Sequence, residues 1–214
     1  MDGRYLASKQ CLFGGGTAIA LRYGEYRESV DVDFLVSSLA GYREIRNHVS
    51  VHGIEGLFTR APKALREVRA DQYGIRTLLE VDELPIKLEV ILEARIRLDA
   101  PGDEDALCGI KTLTPVDMAA SKLLANSDRW ADDSTCSRDL IDLAMMLGDG
   151  KIPRASMTKA TRAYGDAIGR DLKKAIGHLL DREGRLGICI ERMAIETPQA
   201  QLGQRIKRLK LPRA

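Results

Sequence analysis

Asp31-Val32-Asp33-Phe34-Leu35-Val36 is the stretch from which the rest of the chain is read. Two carboxylates alternate with β-branched and aromatic side chains, a pattern that predicts a β-strand. Residues two apart on a strand point to one face, so Asp31 and Asp33 project together, with Cα atoms roughly 6.5–7 Å apart. Like charges held side by side are costly to bury without a counter-ion. A divalent cation supplies one, and Mg²⁺ suits because it takes carboxylate oxygens together with substrate phosphates. Two such ions about 3.5–4 Å apart can bridge the attacking and leaving oxygens of a displacement. Taken alone, the pair also fits a solvent-facing Asp-x-Asp on an edge strand.

Upstream, Phe13-Gly14-Gly15-Gly16-Thr17 is a turn signal, followed by a predicted short helix over 18–23 that stops at Gly24. A helix start presents unpaired N–H groups and a partial positive charge, which suit a phosphate. Gly15 and Gly16 allow close backbone approach, and Thr17 adds a hydroxyl. Asp31 follows Gly16 by fifteen residues, enough for a short helix and a turn to bring the strand back beside the glycines. Arg27 and Ser29 in that turn are further candidates for phosphate oxygens. No GxxxxGK[ST] occurs, so a P-loop is excluded.

Downstream, residues 39–51 suit a helix with Tyr42, Ile45 and Val49 on one face. Residues 73–81 and 86–96 predict a hairpin joined by Asp82-Glu83-Leu84-Pro85. On its second strand Leu88, Val90 and Leu92 share one face and Lys87, Glu89, Ile91 and Glu93 the other. Glu89 is the preferred third acid, to complete a metal site or accept a proton from an attacking hydroxyl. Glu93 competes for that role, and Lys87 can neutralise the acids. A short strand over 107–113 leads to Thr114-Pro115, where the character changes. Pro115 at a first helical position opens a helix to about residue 130. Others are predicted over 137–147, 156–168, 171–182 and 199–210. The fold class is therefore α/β (α+β): a small mixed sheet flanked by helices over 1–113, then an all-helical part over 114–214.

Apolar residues make up 44% and charged residues 30% of the 214, an ordinary globular composition. No stretch of about eighteen apolar residues or secretory leader is visible, so no membrane association and a cytoplasmic location are expected. Cys11, Cys108, Cys136 and Cys189 lack metal or redox spacing and are expected as buried free thiols. His48 and His52, four apart, lack a third ligand at useful spacing and are expected at the surface. Trp130 is expected to pack between the two parts. The net charge of +2 hides an asymmetry: 15 Lys and Arg against 6 Asp and Glu from Lys151 onward, and 18 against 25 before it. The basic part can attract a polyanion such as RNA or form a solvated helical surface.

Gly15-Gly16-Thr17-Ala18, Gly24, Arg27, Ser29 and Asp31-Val32-Asp33-Phe34 together resemble the signature of the AbiEii/AbiGii-type toxin nucleotidyltransferases, within the DNA polymerase β-like nucleotidyltransferase superfamily. Lys87-Leu88-Glu89-Val90 is similar to the family's third-acid strand. Ser121-Lys122-Leu123-Leu124-Ala125 with Arg129, and Arg138-Asp139-Leu140-Ile141-Asp142-Leu143, are similar to its two later helical motifs. The resemblance covers about residues 12–147. It implies the toxin half of a toxin–antitoxin or phage-defence pair, with a cognate antitoxin. Some relatives transfer nucleotides to tRNA 3′ ends. It implies a nucleoside triphosphate substrate with two Mg²⁺ on Asp31, Asp33 and Glu89. It further implies that Lys122 contacts the phosphates and that Asp139 or its neighbours complete the active site. The residues themselves leave alternatives. Lys122 and Arg129 share a helix face that is either a phosphate channel or an exposed stripe, and Asp139 can form an inter-helix salt bridge. The acceptor can be RNA, a small molecule or a protein, and a binding module without turnover is the rival class.

Overall fold

The computed structural model describes residues 1–212; Arg213 and Ala214, the end of the expected helical part, lie outside the described residues. The chain divides into two compact units, Met1–Ala18 with Val30–Thr114, and Ile19–Ser29 with the residues from Pro115 onward.

In the first unit, α1 (Gly3–Ser8) is capped by the Asp2 carboxylate, which accepts from the amides of Arg4 and Tyr5. Strand β1 (Cys11–Gly14) runs directly into α2 (Gly15–Arg22), of which Gly15–Ala18 belong to this unit. Strand β2 (Asp31–Val36) precedes α3 (Leu39–His52), capped by Ser38, whose hydroxyl accepts from Gly41 N–H. Tyr42, Ile45 and Val49 of α3 are buried, the face expected from their spacing. Short strands β3 (Lys63–Ala64) and β4 (Arg69–Ala70) flank β5 (Gly74–Val81), which turns into β6 (Leu84–Leu92). The turn is two residues long, Asp82 and Glu83, both at positive φ. That is the backbone a two-residue hairpin needs, so the expected four-residue turn is shorter and Leu84 and Pro85 belong to the strand.

The main sheet has the order β1-β2-β6-β5-β3, with β4 also on β5. The β2–β6 pair is parallel and the other neighbours antiparallel, so the sheet is mixed, as expected. One face is the core: Phe13, Phe34, Val90 and Ile75 form one row across four strands, and the two phenyl rings lie 5.5 Å apart. The expected strand over 107–113 is instead a small hairpin, β7 (Ala106–Leu107) and β8 (Ile110–Lys111), turning on Cys108 and Gly109 at positive φ.

The second unit is helical: α4 (Pro115–Arg129), α5 (Arg138–Met146), α6 (Arg154–Tyr164), α7 (Ala167–Leu180), α8 (Arg185–Arg192) and α9 (Gln199–Arg208). Helix α4 packs against α5, α6 and α7, and α5 against α9. Leu123, Leu124, Leu140, Ile141, Leu172, Leu179, Leu202 and Ile206 fill the core. Trp130 packs within this unit, its ring edge-on to His178 at 5.7 Å with the Lys174 ammonium 5.4 Å from its centre. Three cysteines are buried as expected, but Cys108, on its hairpin turn, is exposed. Among the described residues no helix is long and apolar enough to cross a membrane.

Candidate active site

The acids lie on the face of the sheet opposite the row of Phe13, Phe34, Val90 and Ile75, and are half-buried. Asp33 is paired in register with Glu89 and Asp31 with Lys87 on the parallel strand β6. Partners in a parallel ladder project to the same side, so Asp31, Asp33, Lys87 and Glu89 share one face. Arg76 on β5 stands opposite Glu89 and extends that row.

Gly14 stands opposite Asp33 on β1, and the chain then turns sharply into α2. Gly15 has φ +68, and a Cβ built on it would fall 2.8 Å from the Cβ and Cγ of Asp33 and closer still to Oδ2. No side chain fits there, so glycine is required both for the backbone and for the close approach. The Asp33 carboxylate is thereby set against the first turn of α2, where the helix dipole favours an anion. Gly16 occupies the next position in that turn. The Thr17 hydroxyl donates to the Asp31 main-chain carbonyl, tying the helix start to the start of β2.

Glu89 is held by two cations: Arg76 Nε donates to Oε1 at 3.0 Å and Lys87 Nζ to Oε2 at 2.6 Å. Lys87 thus has the neutralising role expected of it. Among the described residues no group of three or more His, Cys, Asp or Glu side chains is arranged to hold a metal ion. The backbone register brings Asp31, Asp33 and Glu89 to one face, while both Glu89 oxygens face cations. Glu93, the competing acid, is buried, and its carboxylate accepts from the Arg95 amide at 2.8 Å and Arg95 Nη2 at 2.7 Å.

The remaining expected residues gather in the helical unit as a buried ionic network. Arg27 Nε and Nη2 grip the two oxygens of Asp142 at 2.8 and 3.0 Å, and Nη1 donates to the Glu28 carbonyl at 2.9 Å. All three guanidinium nitrogens thus have partners within the chain. Tyr26 donates its hydroxyl to Asp142 at 2.6 Å. Lys122 bridges Asp139 at 2.9 Å and Asp142 at 2.6 Å, and Arg129 clamps Asp139 through Nε at 2.7 Å and Nη2 at 3.0 Å. The inter-helix salt bridge, left open by the sequence, is thus present. Ser29 lies half-buried beyond Arg27. Burial works against charge on Lys122, but the carboxylates of Asp139 and Asp142 outweigh it and raise its pKa. Burial likewise opposes ionisation of Asp139 and Asp142, yet Lys122 together with Arg129 or Arg27 holds both below the usual carboxylate range.

Tyr26 and Arg76 were not singled out in the sequence, and Asp142 stood there only within the helical motif around Asp139. For Asp142 a signal existed: it lies three residues after Asp139 on one helix, so the two share a side. Tyr26 and Arg76 carry no local signal, since their partners lie across strands or far along the chain.

The family described as "Nucleotidyl transferase AbiEii toxin, Type IV TA system" matches residues 3–212. The chain belongs to the AbiEii nucleotidyltransferase toxin family. Similar solved structures show the same fold as this AbiEii member. JHP933 from Helicobacter pylori is 16% identical, with a TM-score of 0.54, covering 97% of this chain and 86% of that one. A putative nucleotidyltransferase from H. pylori is 15% identical, with a TM-score of 0.51, covering 97% and 89%. No curated protein matches. The acid-bearing face and glycine turn thus belong to a nucleotidyltransferase of the AbiEii toxin type.

Proposed function

We propose that this AbiEii-type enzyme transfers a nucleoside monophosphate from a nucleoside triphosphate to the 3′ end of an RNA, with tRNA the leading candidate, and that a cognate antitoxin restrains it. The observation that carries the proposal is the packing of Asp33 against Gly15, with Glu89 level with Asp33 on the neighbouring parallel strand. That geometry sets a carboxylate pair and a helix start side by side, the surroundings that a metal-bound triphosphate needs.

Asp31 and Asp33 would hold Mg²⁺, with Glu89 joining them on exchange of its Lys87 contact; when bound, the metal neutralises phosphate charge and polarises the phosphorus–oxygen bonds. The chain's own residues supply position and field. Gly15 and Gly16 let the α2 amides approach the triphosphate. Arg76 fixes Glu89 beside Asp33 through Oε1, and Oε2, once released by Lys87, lies on the side from which the acceptor hydroxyl would lose its proton. The new phosphate ester forms at the α-phosphorus as the bond to pyrophosphate breaks, and alignment with charge neutralisation supplies most of the rate. Arg27, Lys122, Arg129, Asp139 and Asp142 hold the helical unit together in this reading, as a satisfied internal network.

The test is incubation with labelled triphosphates, Mg²⁺ and total tRNA. The unaltered enzyme should label RNA and Asp33→Ala should not. Equal labelling by both would remove the assignment. Labelling of protein or a small molecule, with RNA unlabelled, would replace the acceptor.

A further inference from the structure

The two cations that hold Glu89 differ in how firmly they are themselves held. Arg76 donates through Nε to Glu89 Oε1 at 3.0 Å and reaches Asp71 Oδ2 at 3.4 Å. Asp71 is fixed in turn, its Oδ1 accepting from the amides of Tyr73 and Gly74 at 2.7 and 3.0 Å. Arg76 thus spans two carboxylates with a rigid, planar fork. Lys87 Nζ donates to Glu89 Oε2 at 2.6 Å, and among the described residues that carboxylate is its one partner. The Lys87 side chain is 47% exposed and that of Glu89 15%. An ammonium on a flexible aliphatic stem, paired at the rim of solvent, is a weakly held counter-ion.

Lys87 also stands among the acids. In register it faces Asp31 on the parallel strand, as Glu89 faces Asp33. With strands about 4.8 Å apart and same-face neighbours about 6.5–7 Å apart along a strand, its Cα lies roughly 5 Å from that of Asp31 and roughly 8 Å from that of Asp33. Its ammonium is therefore within reach of oxygens that an ion shared by Asp31 and Asp33 brings with it. Glu89 offers such an ion no oxygen that lacks a cation already. A bare divalent ion must strip the ammonium from Oε2, leave it without an acceptor and give up water of its own, which Mg²⁺ does reluctantly. An ion that arrives on a triphosphate carries acceptor oxygens for the displaced ammonium, so one ion pair is exchanged for another.

We infer that Lys87 is a movable counter-ion that couples the metal to the triphosphate: it leaves Glu89 Oε2 for a phosphate oxygen, so the acids take a divalent ion together with the triphosphate and hold it poorly by itself. The identity of both ligands rests on the transfer reading above. No covalent bond changes in this exchange. One N–H···O contact to a carboxylate is lost and one to a phosphate is gained, while Arg76 keeps Glu89 in place through Oε1. Lys87 thereby acts in opposite directions on two ligands. It obstructs the ion alone and assists the ion that comes with its substrate, a pairing of effects that a lysine serving only the fold does not give.

The test measures binding apart from turnover. Calorimetric titrations compare the parent with Lys87→Met and Lys87→Gln. The probes are Mn²⁺ alone, an oxygen-seeking stand-in for Mg²⁺, and α,β-methylene analogues of the common nucleoside triphosphates with saturating Mg²⁺. The parent should bind Mn²⁺ alone weakly. Lys87→Met should bind it about threefold or more tightly, since the competing ammonium is gone. The same variant should bind the preferred analogue about tenfold more weakly, the worth of one charge-assisted hydrogen bond. Lys87→Gln should move both affinities in the same directions. The opposite shifts should persist at about 0.5 M salt, where the field of a charge that makes no contact is screened. Arg69→Met, on the same face two strands beyond Lys87, should change neither affinity by more than about twofold. Melting curves without ligand should match the parent's, because the Lys87 side chain is half-exposed. Equal Mn²⁺ affinity in parent and variants, unchanged analogue affinity, shifts that vanish in high salt, or the same shifts in Arg69→Met would overturn the inference. A parent that binds no analogue removes the transfer reading with it. A parent and variants that bind in the expected pattern, with no acceptor labelled, remove the transfer reading and leave Lys87 in its role.

Discussion

Lys122 Nζ lies 2.6 Å from Asp142 Oδ2 in a pair with almost no solvent exposure on either side. The same carboxylate takes the Arg27 guanidinium and the Tyr26 hydroxyl, so one aspartate ties α4, α5 and residues 26–27 together. Removing one side of a buried ion network strands the other, at a cost of about 3–5 kcal/mol. Asp142→Ala should therefore destabilise the helical unit by about that amount in urea unfolding. Asp133→Ala, which breaks the half-exposed cluster with His178 and Arg182, should cost less. An Asp142→Ala midpoint equal to the parent's would refute the network's structural role.

The network also sets an acid limit. Asp139 and Asp142 have folded pKa values below their ordinary 3.8. Such groups stabilise the fold fully above the ordinary value, and the stabilisation is lost as pH falls below it toward the depressed folded values. Urea midpoints of the parent should fall as pH drops from about 5 to about 3, and Asp139→Asn should show a shallower fall. Equal slopes would show that Asp139 is not held as described.

Gly15 makes a sharper prediction. Alanine there must take φ +68 and push into Asp33. The left-handed backbone alone costs about 1–2 kcal/mol. Gly15→Ala should lower the melting temperature modestly and abolish nucleotide transfer, because Asp33 must move. Gly109→Ala is the control: its φ is +76, but a Cβ there meets nothing within 4 Å. It should carry the strain and keep activity. Full activity in Gly15→Ala would separate the glycine from the acids.

Much of this architecture could be read from residue patterns, and the misses have physical causes. The strand at Asp31 and the helix over Tyr42, Ile45 and Val49 alternate or recur at the period of their element, so they were legible. Strand β1 has all four residues buried, so it shows no alternation and reads as a turn signal. Helix α2 begins at Gly15, where glycine's poor propensity hides a helix start that the packing against Asp33 dictates. Helix α8 is only eight residues long, follows Gly184 and contains Gly187, and it escaped for the same reason. That Asp31, Asp33 and Glu89 share one face, with the glycine turn beside Asp33, was legible because these residues lie close in sequence or on neighbouring strands. The Arg27–Asp142 tie spans 115 residues, and no local pattern encodes it.

The cysteines give a simple check on packing. Burial pushes the Cys189 thiol up to about 11 and that of Cys11 further still, while Cys108 alone among the four is exposed. Iodoacetamide at pH 8 should modify one thiol in the folded protein and four in urea. Rapid native modification of a second site would place one of the buried thiols at the surface.

The central claim is that Asp31 and Asp33 join a divalent ion to a triphosphate beside Gly15. Calorimetric titration with an unreactive triphosphate analogue, with and without Mg²⁺, tests it most directly. The parent should bind the analogue much more tightly with Mg²⁺ than without, and Asp31→Asn/Asp33→Asn should show no such gain. The same Mg²⁺-dependent gain in both proteins would contradict the account.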